Sequence, residues 1–280
     1  MIRLGPISIN IMLGLAEYRF LTHSQMLQLN LGTNSLKTVW KHTSKLRSRS
    51  YDCISRIEYN TIMRIGRVED VYYLTAKGFK LLNELDIPVS KNVYIPRASP
   101  QLTDDYTHRL GTIQFHIYLN KYLRSIGGAL EFFDPYFFKK KVGKSFYAIN
   151  SIPLDENTRI IPDAVAKGHT QKGSRYLLFE LHNGRSIKRL VDQIYKHAVA
   201  LSKRKTHSVY RIPRNQFYYV LIVLENSNAH SALIKAMQQH ESLYEHIHIY
   251  FLCKSLQDIE TESFNQQWTS ILGQLCSLDI

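Results

Sequence analysis

The stretch from Arg159 to Lys205 constrains this chain more than any other. It runs R-I-I-P-D-A-V-A-K-G, then T-Q-K-G-S, then R-Y-L-L-F-E-L-H-N-G, and closes in a basic amphipathic segment ending K-R-K. Two short apolar runs bounded by turn residues predict buried strands, and Gly168 and Gly173 punctuate their connection as a hairpin would. Asp163 falls in the first strand, Glu180 near the end of the second, and His182 two residues later. Alternation puts Glu180 and His182 on one face, with Leu181 pointing away. A hairpin brings Asp163 across from that pair. Carboxylates on apolar strands are costly unless compensated, and a divalent cation is the usual compensation. The plain alternative is an ion pair of these strand-end acids with Arg159, Arg175 or Arg185. Zinc is disfavoured, because neither H-x-x-x-H nor C-x-x-C occurs here, and His246 and His248 lack a third ligand nearby.

P-D followed by E-x-K at a variable gap resembles the PD-(D/E)xK core of restriction-endonuclease-like folds. Here His182 stands at the lysine position, and Lys188 lies about one turn into the following helix. The order of Pro162-Asp163, F-E-L-H-N-G-R-S and the K-x-x-x-x-Q-x-Y-K run from Lys188 to Lys196 is similar to the replication-relaxation family. That family includes the MOBC-type relaxases of mobilisable plasmids, which join a winged helix to a nuclease-like domain. The resemblance implies that Asp163 and Glu180 hold Mg²⁺ or Mn²⁺, with the Leu181 carbonyl as a further ligand. It implies that Lys188 stabilises charge on the phosphate, while His182 binds the metal, acts as a base or orients water.

The charge supports a polyanionic partner. The formal net charge is +13, and eighteen tyrosines supply flat faces suited to unpaired bases. A merely solvated basic surface is the alternative. A hydrophobic fraction of 44% with 21% charged residues describes a globular chain. It has no run long enough to span a membrane and no signal-peptide pattern at its start. Cys53, Cys253 and Cys276 are scattered and odd in number, which argues against a disulfide framework. The expected location is the cytoplasm.

The chain is long enough for two domains, expected at 1–88 and 103–280 with a proline-containing linker at 89–102. In the first, a helix over 7–19 precedes Thr22-His23-Ser24-Gln25, a capping box opening a helix to about Asn30. A third helix is predicted from Asn34 to Arg49. Leu36, Val39, Trp40 and Leu46 form its expected core stripe, and Lys37, Lys41 and Lys45 recur along another face. Arg47 and Arg49 extend that charge, and Arg64 and Arg67 flank a predicted two-stranded ribbon. Two helices across a short turn, then a ribbon, then Y-L-T-A-K-G and a short helix, predict a winged helix that grips DNA. A small α/β module for protein contact is the alternative.

In the second domain a helix over Thr103–Ser125 carries His108, whose H-R-L setting is also similar to the family pattern. Strands follow at 130–138, with Asp134, and at 147–154. After the Asp163 and Glu180 strands come a helix over 186–204, a strand and helix at 217–224 and 227–240, and another pair at 246–253 and 262–274. The expected class is α/β (α+β): an N-terminal winged helix followed by a restriction-endonuclease-like mixed sheet. The expected function is metal-dependent nicking of DNA at a plasmid origin, with relaxosome or other mobile-element proteins as partners. The alternatives are a catalytically silent DNA-binding regulator and a nuclease of another mobile element. Tyr147, Tyr176 and Tyr195 are candidates near the centre for a covalent link to DNA, and the sequence does not rank them.

Overall fold

The structure, a computed structural model, describes residues 4–59, 61–62, 66–89, 105–142, 145–184, 186–225, 228–240, 244–261, 264–278 and 280. Two compact units emerge, Met1–Ile117 and Tyr118–Ile280. Of the expected linker, only Val89 lies within the described residues.

In the first unit, α1 (Pro6–Tyr18) starts with a proline in its first turn, where no amide partner is lost. Leu21 then bridges Tyr72, with reciprocal backbone bonds of 3.1 and 2.9 Å. The capping box forms as the sequence predicts. The Thr22 hydroxyl accepts the Gln25 amide, the Gln25 side chain accepts the Thr22 amide, and α2 (His23–Gln28) follows. Gly32, at φ +92°, helps the chain turn into α3 (Leu36–Arg47), which Ser35 caps. β1 (Ile54–Ile57) pairs antiparallel with β4 (Val71–Leu74), and between them β2 (Thr61–Ile62) pairs with β3 (Gly66–Arg67). Thr75 caps α4 (Ala76–Glu84). Gly78 in that helix must be glycine, because a Cβ there would lie 2.0 Å from the Cys53 carbonyl oxygen. The unit's core includes Met12, Leu15, Met26, Val39, Leu46, Ile54 and Leu74.

Helix α5 (Tyr106–Ser125) contains the division between the units. Its first half belongs with the first: the Gln25 amide donates to the Leu110 carbonyl at 3.4 Å and to Gln114 at 3.3 Å. In its second half, Leu123 lies against Gly168, where a Cβ would stand 3.2 Å from both leucine methyls.

The second unit is built on a seven-stranded mixed sheet. In chain order the β-elements are β5 (Ala129–Pro135), β6 (Lys139–Val142), β7 (Ser145–Ala148), β8 (Ile152–Pro153), β9 (Arg159–Ile160), β10 (Ala164–Thr170) and β11 (Gly173–His182). Next come α6 (Ile187–Ser202), α7 (Lys205–Tyr210), β12 (Tyr218–Leu224), α8 (Asn228–Gln238), β13 (Phe251–Ser255), α9 (Leu256–Thr261), β14 (Trp268–Ser270) and β15 (Leu275–Cys276). Sheet order is β15-β14-β13-β12-β11-β10-β5. β11, β12 and β13 run parallel, linked through α6 and α8, while the outer strands pair antiparallel. The near-continuous apolar reading of β11 and β12 reflects burial on both faces. One face packs Val165, Leu178, Val220 and Ile222 against Leu190 and Ile194 of α6 and Leu233 and Met237 of α8. Each such residue fully buried contributes roughly 1.5–3 kcal/mol.

Three expectations for this unit fail locally. The strand predicted over 147–154 divides into the ends of β7 and β8. The strand predicted from His246 begins at Phe251, after a single 3₁₀ turn at His248–Tyr250. Where the pattern predicts a helix over 262–274, β14 and β15 form a hairpin turning at Gly273, φ +93°. Trp268 anchors it, fully buried, with its indole N–H donating to the Phe264 carbonyl at 2.6 Å. The three cysteines are free. No helix among the described residues is long and apolar enough to cross a membrane.

Candidate active site

The β10/β11 hairpin turns at Gln171-Lys172, with Thr170 opposite Gly173, whose φ of +116° only glycine adopts easily. Pairing continues to Ala164 opposite Phe179, so Asp163 stands across from Glu180 one step further on. Residues directly opposed in an antiparallel pair project from the same face. Here it is the α6 face, because Val165 and Leu178 on the same alternation pack against that helix. Asp163 is held from both sides. Its carbonyl accepts the Tyr136 amide at 2.9 Å, and its Oδ2 accepts the Leu181 amide at 2.6 Å. The Asn150 amide fixes the preceding turn by donating to the Pro162 carbonyl at 2.6 Å.

Glu180 is buried, and its carboxyl meets two residues of α6. Oε1 bonds His197 Nε2 at 2.5 Å, and Oε2 accepts the Gln193 side-chain amide. Gln193 and His197 are four residues apart, hence on one helix face. That face turns inward because Leu190, Ile194 and Leu201 share it with them. Burial, and then the charge of Asp163, push the Glu180 carboxyl well above its ordinary value, against a smaller opposing effect of Arg189. Burial alone depresses His197 to about 3. The imidazole is therefore neutral at pH 7, and the carboxyl holds its proton to higher pH than an exposed one would. Among the described residues, α6 rather than Arg159 or Arg175 engages both Glu180 oxygens.

Two carboxyl groups share this face, one raised by burial and by the other's charge, and carboxylate oxygens are the donors that hard divalent cations such as Mg²⁺ or Mn²⁺ take. Such a cation would favour the ionised form of Glu180 and offset the repulsion from Asp163.

The remaining predicted residues fall in different places. His182 ends β11 on the Glu180 face, its backbone carbonyl accepting the Glu225 amide at 3.1 Å. Its ring lies over Gly184, where a Cβ would be 3.5 Å from the imidazole. Asp134 on β5 is opposite Val165, hence on the same face as Asp163. Its charge adds to burial in raising the Tyr210 hydroxyl. Lys188 is exposed in the first turn of α6, and the neighbouring Arg189 is the cation whose charge reaches Glu180. Tyr195 is exposed on α6, Tyr147 lies beneath the Arg159 guanidinium at 4.9 Å, and Tyr176 belongs to the core. His108 sits in the half of α5 that belongs to the first unit, its carbonyl accepting the Thr112 hydroxyl at 3.0 Å. Arg185 lies outside the described residues. The sequence reading gave no role to Gln193, quoted only within its K-x-x-x-x-Q-x-Y-K run, or to His197, although both meet Glu180. Their i, i+4 spacing directly after an acid-bearing strand was the available signal.

On α3, Lys37, Lys41 and Lys45 are exposed, as is Arg49 beyond its end, while Arg47 is half-buried. The helix carries no acidic residue. Its inward stripe is Val39, Thr43 and Leu46; Leu36 and Trp40, expected in the core, are exposed, Trp40 to 60%. Trp40 lies about 100° round the helix from Val39, at the edge of the buried stripe and next to Lys41. Lys45 sits over the Tyr51 ring at 5.0 Å. Arg67 on β3 is exposed, and Arg64 lies outside the described residues.

Comparison of the chain with known protein families, with characterised proteins and with solved structures found no match.

Proposed function

We propose that this chain grips duplex DNA through α3 and the β2/β3 ribbon, as a winged helix does, and nicks one strand at Asp163 and Glu180. The observation that carries the reading is the register of the β10/β11 hairpin, whose end at Ala164 opposite Phe179 brings the Asp163 and Glu180 carboxyls together on the α6 face. The element order around it, antiparallel strands leading into parallel β-α units, is compatible with a restriction-endonuclease-like domain. The resemblance to the replication-relaxation family makes a plasmid origin the proposed target and relaxosome proteins the proposed partners.

Asp163 and Glu180 would hold the cation, and Mg²⁺ or Mn²⁺ bound there would supply the charge that polarises the scissile phosphate and acidifies water. Glu180 must ionise for this. Gln193, donating to Oε2, and His197, bonded to Oε1, keep the carboxylate oriented. His182, two residues on and on the same face, orients the attacking water or takes its proton. Lys188 and Arg189, exposed at the start of α6, neutralise charge that builds on the phosphate oxygens.

A second reading is a catalytically silent DNA-binding regulator. It is favoured by the Glu180 carboxyl, both of whose oxygens are engaged within the fold. Nicking of supercoiled plasmid DNA with Mg²⁺ or Mn²⁺, beside gel-shift affinity in EDTA, separates the two. Asp163→Ala and Glu180→Ala should lose nicking by orders of magnitude while binding persists, since each removes an anion. Lys188→Ala should slow nicking and leave metal affinity nearly intact. A parent protein that binds but never nicks would put the regulator first. Carboxylate variants that nick as the parent does would place the chemistry elsewhere.

A further inference from the structure

At the start of β11, far from Glu180, the sheet carries a cavity of about 620 Å³ lined by Arg175, Asn215, Gln216, Phe217, Tyr219 and Tyr250, among others. Five residue steps separate Arg175 from Glu180, roughly 17 Å along the strand. The faces differ too. Tyr176 and Tyr218 are partners that point into the α6-side core, so Arg175 and Tyr219 project from the opposite face. This cavity is thus separate from the carboxylate centre.

Its chemistry is specific. Phe217 and Tyr250 stack nearly parallel, 4.5 Å between centroids and 11° between planes, yet Phe217 is 51% exposed. One aromatic face is held rigidly by a ring behind it and bare on its outer side. The loop bearing it is fixed: the Gln216 amide donates to the Ser174 carbonyl, and the Gln216 carbonyl bonds His207 at 2.9 Å. From Lys203 to Phe217 the chain holds five basic residues, Lys203, Arg204, Lys205, Arg211 and Arg214, and no acid. The Arg204 guanidinium donates to the Arg214 carbonyl at 3.0 Å, between Pro213 and Asn215 of the lining. Arg175 adds a guanidinium to the lining, and the exposed Asn215 amide offers both a donor and an acceptor.

We propose that this cavity is a second nucleic-acid site that takes an unpaired nucleotide, its base stacked on Phe217 and its phosphates on Arg175 and Arg214. A flat bare ring beside guanidiniums suits a base and its phosphate. A purely anionic ligand would use the charge and leave the ring idle. The cavity's size lies in the range of small-ligand sites. The site shares with the nicking proposal only the premise of a nucleic-acid partner, and it does not require that Asp163 and Glu180 cut.

The test is fluorescence anisotropy of a labelled oligothymidylate with the full chain in EDTA, where cleavage chemistry is silent. Phe217→Ala should bind roughly tenfold more weakly or worse, and Phe217→Trp should bind as the parent does. An abasic strand of equal length, which needs no variant, should bind the parent about as weakly as oligothymidylate binds Phe217→Ala. Arg175→Gln should lower affinity and flatten its salt dependence. Equal affinity of the parent for the abasic and thymidine strands would overturn the inference. So would a Phe217→Ala protein that binds unchanged, or polyglutamate that competes as well as the strand. Those failures would leave the carboxylate centre untouched. Loss of nicking activity with Phe217-dependent binding intact would do the reverse.

Discussion

Helices α3 and α6 are built alike and used oppositely. Each opens on a serine whose hydroxyl accepts the amide three residues on, Ser35 from Thr38 and Ser186 from Arg189. Each repeats polar residues at four-residue spacing. On α3 the repeat, Lys37, Lys41 and Lys45, stays in water and draws a tryptophan out with it. On α6 the repeat, Gln193 and His197, turns inward and meets Glu180. The apolar residues of each helix set that difference: Leu190, Ile194 and Leu201 share the face of the α6 repeat, whereas Val39 and Leu46 lie away from the lysines of α3. The strand behind α6 then delivers a buried carboxyl whose two oxygens that face engages. Exposed cations lose almost no hydration and act through their field. Buried polar groups lose it all and must satisfy one another.

Removing the ring of His197 should therefore have the largest effect. His197→Ala leaves a cavity and strips Glu180 Oε1 of its partner, and we expect a loss of about 2–4 kcal/mol in urea unfolding. A loss below about 0.5 kcal/mol would mean the buried network contributes little, and the contrast with α3 would collapse. Lys37, Lys41 and Lys45 changed together to Ala should leave stability alone. They should lower the salt slope of duplex binding by roughly 0.9 for each phosphate the lysines neutralise. An unchanged slope would take α3 off the DNA.

The contrast sharpens with pH, measured without divalent cation. Glu180 has its folded pKa raised above an ordinary 4.5, so its stabilisation is complete below 4.5 and lost as pH rises through the folded value. His197 has its pKa depressed from 6.5 to about 3, so its contribution is present above 6.5 and lost as pH falls towards 3. Where both groups titrate the two slopes oppose each other, and the Glu180 slope lowers stability with rising pH by at most about 1.4 kcal/mol per pH unit. Glu180→Gln should abolish that decline and uncover the loss from His197 on the acid side. An alkaline decline that survives the change would assign it to another group. The smallest effect belongs to Trp40→Ala on α3, under about 0.5 kcal/mol because the ring is mostly in water. A larger loss would return Trp40 to the core.

The parts of this architecture written in local chemistry were legible in the sequence. The Thr22–Gln25 capping box, the β10/β11 hairpin and the helices α6 and α8 with the strand β12 between them rest on periodicity and turn residues. Trp40 was misread because a large apolar side chain at a plausible position looks like core, although Val39 and Leu46 already define the buried stripe with Thr43. The segment 262–274 was misread because its polar and apolar residues fit a helix until Gly273 is allowed to turn a hairpin. His197 was passed over for another reason: its i, i+4 spacing from Gln193 gains meaning only from Glu180, seventeen positions away and brought near by packing.

The chain has two tryptophans, and they sit at the two extremes of exposure. Trp40, in the first unit, is 60% exposed, and Trp268, in the second, is fully buried. Each is a natural fluorophore for its own unit. Trp268 emits from an apolar surrounding and shifts red only when the large sheet opens. Trp40 already emits from water, so it is blind to unfolding and sensitive to whatever comes to lie against α3. A ligand that dims the red side of the emission and a denaturant that erases the blue side would thus be told apart in one cuvette, without a label.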